Sequence, residues 1–172
     1  MPRPRTLALW LTVAAVGLGA FTTSPAQASP RTAVDHPIRP KYVRAAGGAV
    51  VGPCLTVQML RATNASRRHH GERKLLLDWR LSLVARRHAM AMARAHRLFH
   101  TTRIGVYLNG VGRWSAWGEN IGWTTGGVNL LESAFMASYV HREHILSRTF
   151  HHVAVGAVIV RHQLWVSIFF YG

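Results

Sequence analysis

Two runs rich in β-branched and aromatic residues, His152 to Val160 and Gln163 to Phe170, are separated by only Arg161-His162. A two-residue connection has no room for a crossover, so the runs must pair antiparallel as a hairpin. Val153, Val155, Ala157 and Ile159 alternate with their neighbours, as do Leu164, Val166, Ile168 and Phe170. Each strand therefore has a defined set of core-facing residues. Helical spacing dominates what precedes the hairpin. Helices first, a hairpin last and no βαβ alternation predict an α+β layered domain with an antiparallel sheet.

The helices are placed by their apolar periodicity. Leu55, Met59, Leu60 and Ala62 fit a first helix from Cys54 to His70, with Gly71 as its stop. Asp78 is the expected N-cap of a second helix running to about Arg97. Leu81, Val84, Ala85, His88, Ala89 and Met92 form its apolar stripe. Residues 99–122 are rich in Gly and Trp and only weakly periodic, which predicts loops and at most a short strand. Val128 to Ser138 suits a third helix, and His141 to Leu146 one more helical turn.

The N-terminus has another character. Arg3 and Arg5 precede an uncharged, mostly apolar run from Leu7 to Phe21, followed by Ala26-Gln27-Ala28. A basic start, a short apolar stretch and a small-x-small site are the marks of a secretory signal peptide, with cleavage expected after Ala28. The run is too short for the ~20 residues that span a bilayer. The expected organisation is a signal peptide over 1–28, a linker or flexible arm over 29–52 and one packed domain over 53–172. No transmembrane segment is expected in the mature chain.

The 172 residues carry 21 Lys+Arg against 6 Asp+Glu, a formal net charge of +15. Loss of Arg3 and Arg5 with the signal leaves 19 basic residues against 6 acidic ones, or +13. Such a charge first suggests nucleic acid. However, Arg80, Arg86, Arg87, Arg94 and Arg97 fall mainly off the apolar stripe of the second helix, as its solvated face. Nucleic acid is therefore an unlikely partner, whereas an anionic cell-envelope component suits an exported basic surface. The single cysteine, Cys54, excludes an intramolecular disulfide and a Cys-cluster zinc site.

Eleven histidines are too many for each to be functional. His69, His70 and His162 fall in predicted turns, and His88 reads as a satisfied core histidine. Acids are scarcer, and Glu119 sits among Gly and Trp in Trp117-Gly118-Glu119-Asn120-Ile121-Gly122. In that setting it either ties down backbone N–H groups or an arginine, or serves a site. His141-Arg142-Glu143-His144 spaces its histidines three apart, unlike the four of the helical zinc-protease signature. Asn64-Ala65-Ser66 has the glycosylation form but lies inside a predicted helix.

The motifs also come in a recognisable order. Leu81…Ala85…His88-Ala89…Met92-Ala93 leads to Leu98-Phe99-His100. Gly118-Glu119-Asn120-Ile121-Gly122, Ala134 to Ser138, His141-Arg142-x-x-Ile145-Leu146, Val153-Ala154-Val155-Gly156 and Leu164-Trp165-Val166 follow. Over residues 53–172 this order resembles the CAP superfamily, the SCP domain of cysteine-rich secretory, antigen 5 and pathogenesis-related-1 proteins. It is most similar to the short bacterial secreted form without disulfides. The Arg- and Ala-rich, Lys-poor composition suits a high-GC, actinobacterial source.

The resemblance implies an α-β-α sandwich, its antiparallel sheet flanked by helices, with a cleft lined by two histidines and acidic residues. By motif these are His100, Glu119 and His141, with Ser138 where longer members carry a further glutamate. Tyr139-Val140 replaces the usual Pro-Gly, His144 the usual Asn, and Ala154 the first glycine of a Gly-Val-Gly strand. His100 and His141 are the candidate ligands for a divalent ion such as zinc, with Glu119 as ligand or supporting carboxylate and His144 as a further candidate. The resemblance leads to a secreted binding module whose cleft takes an ion, a small apolar ligand or an envelope partner. The alternative is a metal-assisted hydrolase of peptides or esters that uses the same cleft. No catalytic residue is established by sequence, and no nucleophile is evident.

Overall fold

The computed structural model describes residues 43–44, 50–51, 53–110, 112 and 114–172, with side chains from Cys54 on. The signal-like segment 1–28 and most of the expected arm lie outside the described residues. The elements are β1 (Val43–Arg44), β2 (Val50–Val51), α1 (Pro53–His69), β3 (Leu76–Leu77), α2 (Trp79–Ala95) and α3 (Ile104–Leu108). They continue with β4 (Trp117–Thr124), α4 (Gly127–Ala137), α5 (Tyr139–Leu146), β5 (His152–Val160) and β6 (Gln163–Tyr171).

The hairpin is central to the sheet, whose order is β1-β2-β5-β6-β4, with β3 pairing β5 off this path. Val160 pairs with Gln163, and Arg161 and His162 both have positive φ, 50° and 62°. Positive φ at both central residues is the turn geometry whose twist matches that of the flanking strands. The antiparallel sheet is as expected; among the described residues, one short pair differs, Leu76 and Leu77 running parallel to His152 and Val153. Two further strands, β1 and β2, lie in the stretch read as an arm and extend the sheet beyond β5.

The strands are buried on both faces, and this makes the three layers. Val153, Val155, Ala157, Leu164, Val166, Ile168 and Phe170 pack with Leu55 and Met59 of α1, Leu131 and Phe135 of α4 and Ile145 of α5. On the opposite face, Ala154, Val158, Trp165 and Phe169 meet Leu81, Ala85, Ala89 and Met92 of α2. Gly156 faces α2 so closely that a Cβ there would collide with the Ala85 backbone. The helix can lie against the sheet only because that position has no side chain.

Helix α2 starts where its cap predicts. Asp78 Oδ1 accepts from Leu81 N at 2.9 Å, and Asp78 Oδ2 accepts from the Tyr171 hydroxyl at 2.9 Å. The helix ends at His96, which takes the left-handed conformation. As expected, Arg80, Arg87 and Arg94 face outward. Residues 99–122 depart furthest from expectation, because they contain α3 and most of the eight-residue β4.

Two buried polar groups tie the α1 layer together. Arg67, 1% exposed, donates to the carbonyls of Arg73, Ile145 and Ser147 at 2.6–2.8 Å. Glu132 accepts from Thr63 and Ser66 at 3.0 and 2.7 Å, and burial raises its pKa. Asn64 exchanges hydrogen bonds with the Leu75 backbone, so its amide is engaged in the fold and the sequon has a structural use. Among the described residues, no helix is long and apolar enough to cross a membrane.

Candidate functional site

Glu119 lies in β4, not in a loop, and is 4% exposed. Its two oxygens are both engaged. Oε2 accepts from His100 Nδ1 and from Thr101 N, each at 2.9 Å, and Oε1 accepts from Ser167 Oγ at 3.2 Å. A carboxylate opposite Nδ1 requires that nitrogen to carry the proton. In the neutral ring, Nε2 is then a lone pair, on a side chain 42% exposed. Thus Glu119 orients His100 and presents one imidazole acceptor outward.

His88 takes part in the same cluster. Its Nε2 lies 2.8 Å from the Phe99 carbonyl, to which it must donate, and 3.4 Å from Glu119 Oε1. The reading of His88 as a satisfied, half-buried histidine holds, and its second neighbour is the site carboxylate. Sequence spacing gave no sign of that contact, because His88 and Glu119 meet only through the packing of α2 on the sheet.

His141 and His144 come from α5, on the other side of β4. His144 Nδ1 lies 2.8 Å from Asn120 Oδ1, while Asn120 Nδ2 donates to the His141 carbonyl at 3.0 Å. The amide orientation makes His144 Nδ1 the donor. Gly118 makes room for that ring: a Cβ there would sit 2.7 Å from His144 Cδ2. Each residue of Gly118-Glu119-Asn120 thus has a physical task. The first admits α5, the second aims His100, and the third ties α5 to β4.

His141 Nδ1 lies 2.9 Å from Ser138 Oγ, and its ring is 5.0 Å from that of Phe135. Burial, followed by the nearby His144 and His100 rings, pushes the His141 pKa down to about 4. His144 is lowered mainly by burial and next by His100. These causes bring His100, His141 and His144 into one electrostatic neighbourhood, with His141 neutral at pH 7.

Among the described residues, no group of three or more His, Cys, Asp or Glu side chains is arranged to hold an ion. His100, His141 and His144 are each engaged through Nδ1, and both Glu119 oxygens accept from protein donors. His69, His70 and His162 are exposed; His70 and His162 lie in turns as expected, whereas His69 is the last residue of α1. Cys54 is half-buried, and its Sγ accepts from Gln58 Nε2 at 3.2 Å.

Comparison with known proteins agrees with this architecture. The model of the cysteine-rich secretory protein family, CAP, matches residues 60–169. A cysteine-rich secretory protein from Staphylococcus aureus superposes with a TM-score of 0.56 at 19% identity, covering 69% of this chain and 38% of that one. An extracellular SCP-domain protein from Bacillus anthracis gives 0.58 at 22% identity, with 69% and 40% covered. An outer surface protein from Borrelia burgdorferi gives 0.63 at 15% identity, with 73% and 97% covered. The chain therefore spans only about two fifths of the first two relatives. No curated protein sequence matches it. With the fold shared and the family model matched over most of the packed domain, the chain belongs to the CAP family of cysteine-rich secretory proteins.

Proposed function

We propose that the protein is a secreted binding module whose His100, Glu119 and His141 cluster beside β4 takes a small, largely apolar ligand with one hydrogen-bonding head group. The observation that carries this reading is the contrast between two imidazoles. His100 is held by Glu119 with its Nε2 facing outward, and His141 is half-buried and neutral against Phe135. The neutral His141 ring and the outward Nε2 of His100 offer hydrogen bonds to a hydroxyl or carboxyl group. The relatives described as secretory, extracellular and outer-surface proteins support an exported role, as does the signal-like start of the sequence.

The metal-assisted hydrolase is the weaker reading. It needs an open coordination position and a free carboxylate, whereas both oxygens of Glu119 accept from protein donors. The two readings separate in one binding survey of the full chain, using native mass spectrometry and calorimetry. Palmitate, a sterol and zinc ion are each offered alone. Saturable binding of one of the lipids, weakened at least about tenfold by His100→Ala, is the expected result. Binding of neither lipid, or lipid affinity unchanged in that variant, overturns the proposal. Stoichiometric zinc binding with peptide or ester turnover lost in Glu119→Gln would establish the hydrolase instead.

A further inference from the structure

The outward side of α2 combines exposed apolar and basic side chains. Its residues fall on one arc of the helix: Trp79, Arg80, Leu83, Arg86, Arg87, Met90 and Arg94. Trp79 is 53% exposed and Leu83 48%, and they stand among Arg80, Arg87 and Arg94, which are also exposed. The opposite arc, with Leu81, Ala85, Ala89 and Met92, is spent on the core. Among the described residues, Trp79 and Leu83 are thus left about half exposed to solvent. Just past the helix end, Arg97 is exposed and Arg161 reaches His96 at 2.9 Å, continuing the basic row.

Among the described residues, only the Asp78 cap at its start sets an acid against these arginines. Helix α2 contains no acid. Of the five acidic residues among the described positions, Glu119 and Glu132 are buried, and Asp78 is occupied by Leu81 N and Tyr171. Glu72 pairs with Arg148, and Glu143 lies on α5. The arginines of α2 select an anionic partner.

The apolar members decide which anionic partner it is. A nucleic-acid backbone offers phosphates but no apolar layer at the depth of Trp79 and Leu83. An anionic bilayer offers both: phosphates for the guanidinium groups and acyl chains just beneath them. Tryptophan favours that boundary because its ring is apolar and its N–H remains near polar groups. We propose that the outer face of α2 docks the protein on anionic phospholipid membranes, with Trp79 and Leu83 entering the head-group boundary between Arg80, Arg87 and Arg94.

The test is co-sedimentation of the full chain with vesicles of phosphatidylcholine alone, or of equal parts phosphatidylcholine and phosphatidylglycerol. Depth is read by quenching of tryptophan emission with lipids brominated on the acyl chain. Binding should require phosphatidylglycerol and fall as salt rises. It should drop at least about tenfold in Arg87→Glu/Arg94→Glu, whose exposed side chains leave the core intact. Acyl-chain quenching should be reduced in Trp79→Phe, with the circular dichroism of both variants unchanged. Equal binding to both vesicle types, or unaltered binding by the double variant, overturns the proposal. So does binding of duplex DNA without binding of anionic vesicles. Leu83→Ser serves as an independent variant and should weaken vesicle binding without changing net charge.

Discussion

The Tyr171 hydroxyl donates to Asp78 at 2.9 Å, on the oxygen that the α2 N-cap leaves free. One carboxylate thus fixes the start of α2 and the last residue of β6, elements 93 positions apart in sequence. Burial, with Asp78 beside it, raises the Tyr171 pKa. Tyr171→Phe should cost about 1 kcal/mol, the usual value of such a bond. Asp78→Ala should cost about 2 kcal/mol, because a cap is lost as well. Denaturant midpoints of the two variants measure both.

Gly156 beneath Ala85 is a stricter constraint. A methyl group there meets helix backbone, which cannot rotate away. Gly156→Ala should destabilise the domain by about 3 kcal/mol or more, as overpacking does when α2 must lift from the sheet. A retained thermal midpoint in that variant would show that the helix has more freedom than its packing implies.

Acid should weaken the fold through His141. The group titrates near 6.5 when unfolded and about 4 when folded, so the native state binds its proton less readily. Its stabilising contribution is complete above pH 6.5 and is lost as pH falls through 4. His144 shifts in the same direction. His141→Phe should flatten the stability profile between pH 6.5 and 4, as followed by urea unfolding at fixed pH values. An unaltered slope would locate the acid sensitivity elsewhere.

Glu132 works with the opposite sign. Burial raises its pKa, so its proton is held more firmly in the folded state and stability is lost as pH rises through the folded value. Glu132→Gln keeps hydrogen-bonding capacity toward Thr63 and Ser66 without the buried charge. At neutral pH it should raise the melting temperature by a few degrees, equivalent to roughly 1 kcal/mol.

The turn at Arg161-His162 offers a stabilising change. Both residues hold positive φ, which costs non-glycine residues conformational energy. Replacing the pair with Asn-Gly should stabilise the hairpin by about 1 kcal/mol while leaving ligand affinity at the His100, Glu119 and His141 cluster unaltered.

What the sequence displayed and what it concealed divides along the range of the interactions. The hairpin, the Asp78 cap and the apolar stripe of α2 are local patterns, and each appears where expected. Strand β4 was concealed because Gly118 and Gly122 weaken its β signal, and their purpose is visible only once α4 and α5 are packed against them. The pairing of Leu76-Leu77 with β5 depends on a partner some 75 residues away, which two residues cannot announce. At the site, the family motif pointed to His100, Glu119 and His141. The links through Asn120 and His88 arise from α5 and α2 closing on β4 from opposite sides, and no spacing encodes them.

Among the described residues, strand β4 ends the sheet, pairing with β6 alone, and Gly118 to Gly122 are buried. The segments bearing the site pack over its two faces, with Thr101 N bonded to Glu119 and α5 bonded through Asn120. The architecture that holds the imidazoles therefore also fastens both helical layers to this strand, so a lesion there would loosen the sandwich as well as the site.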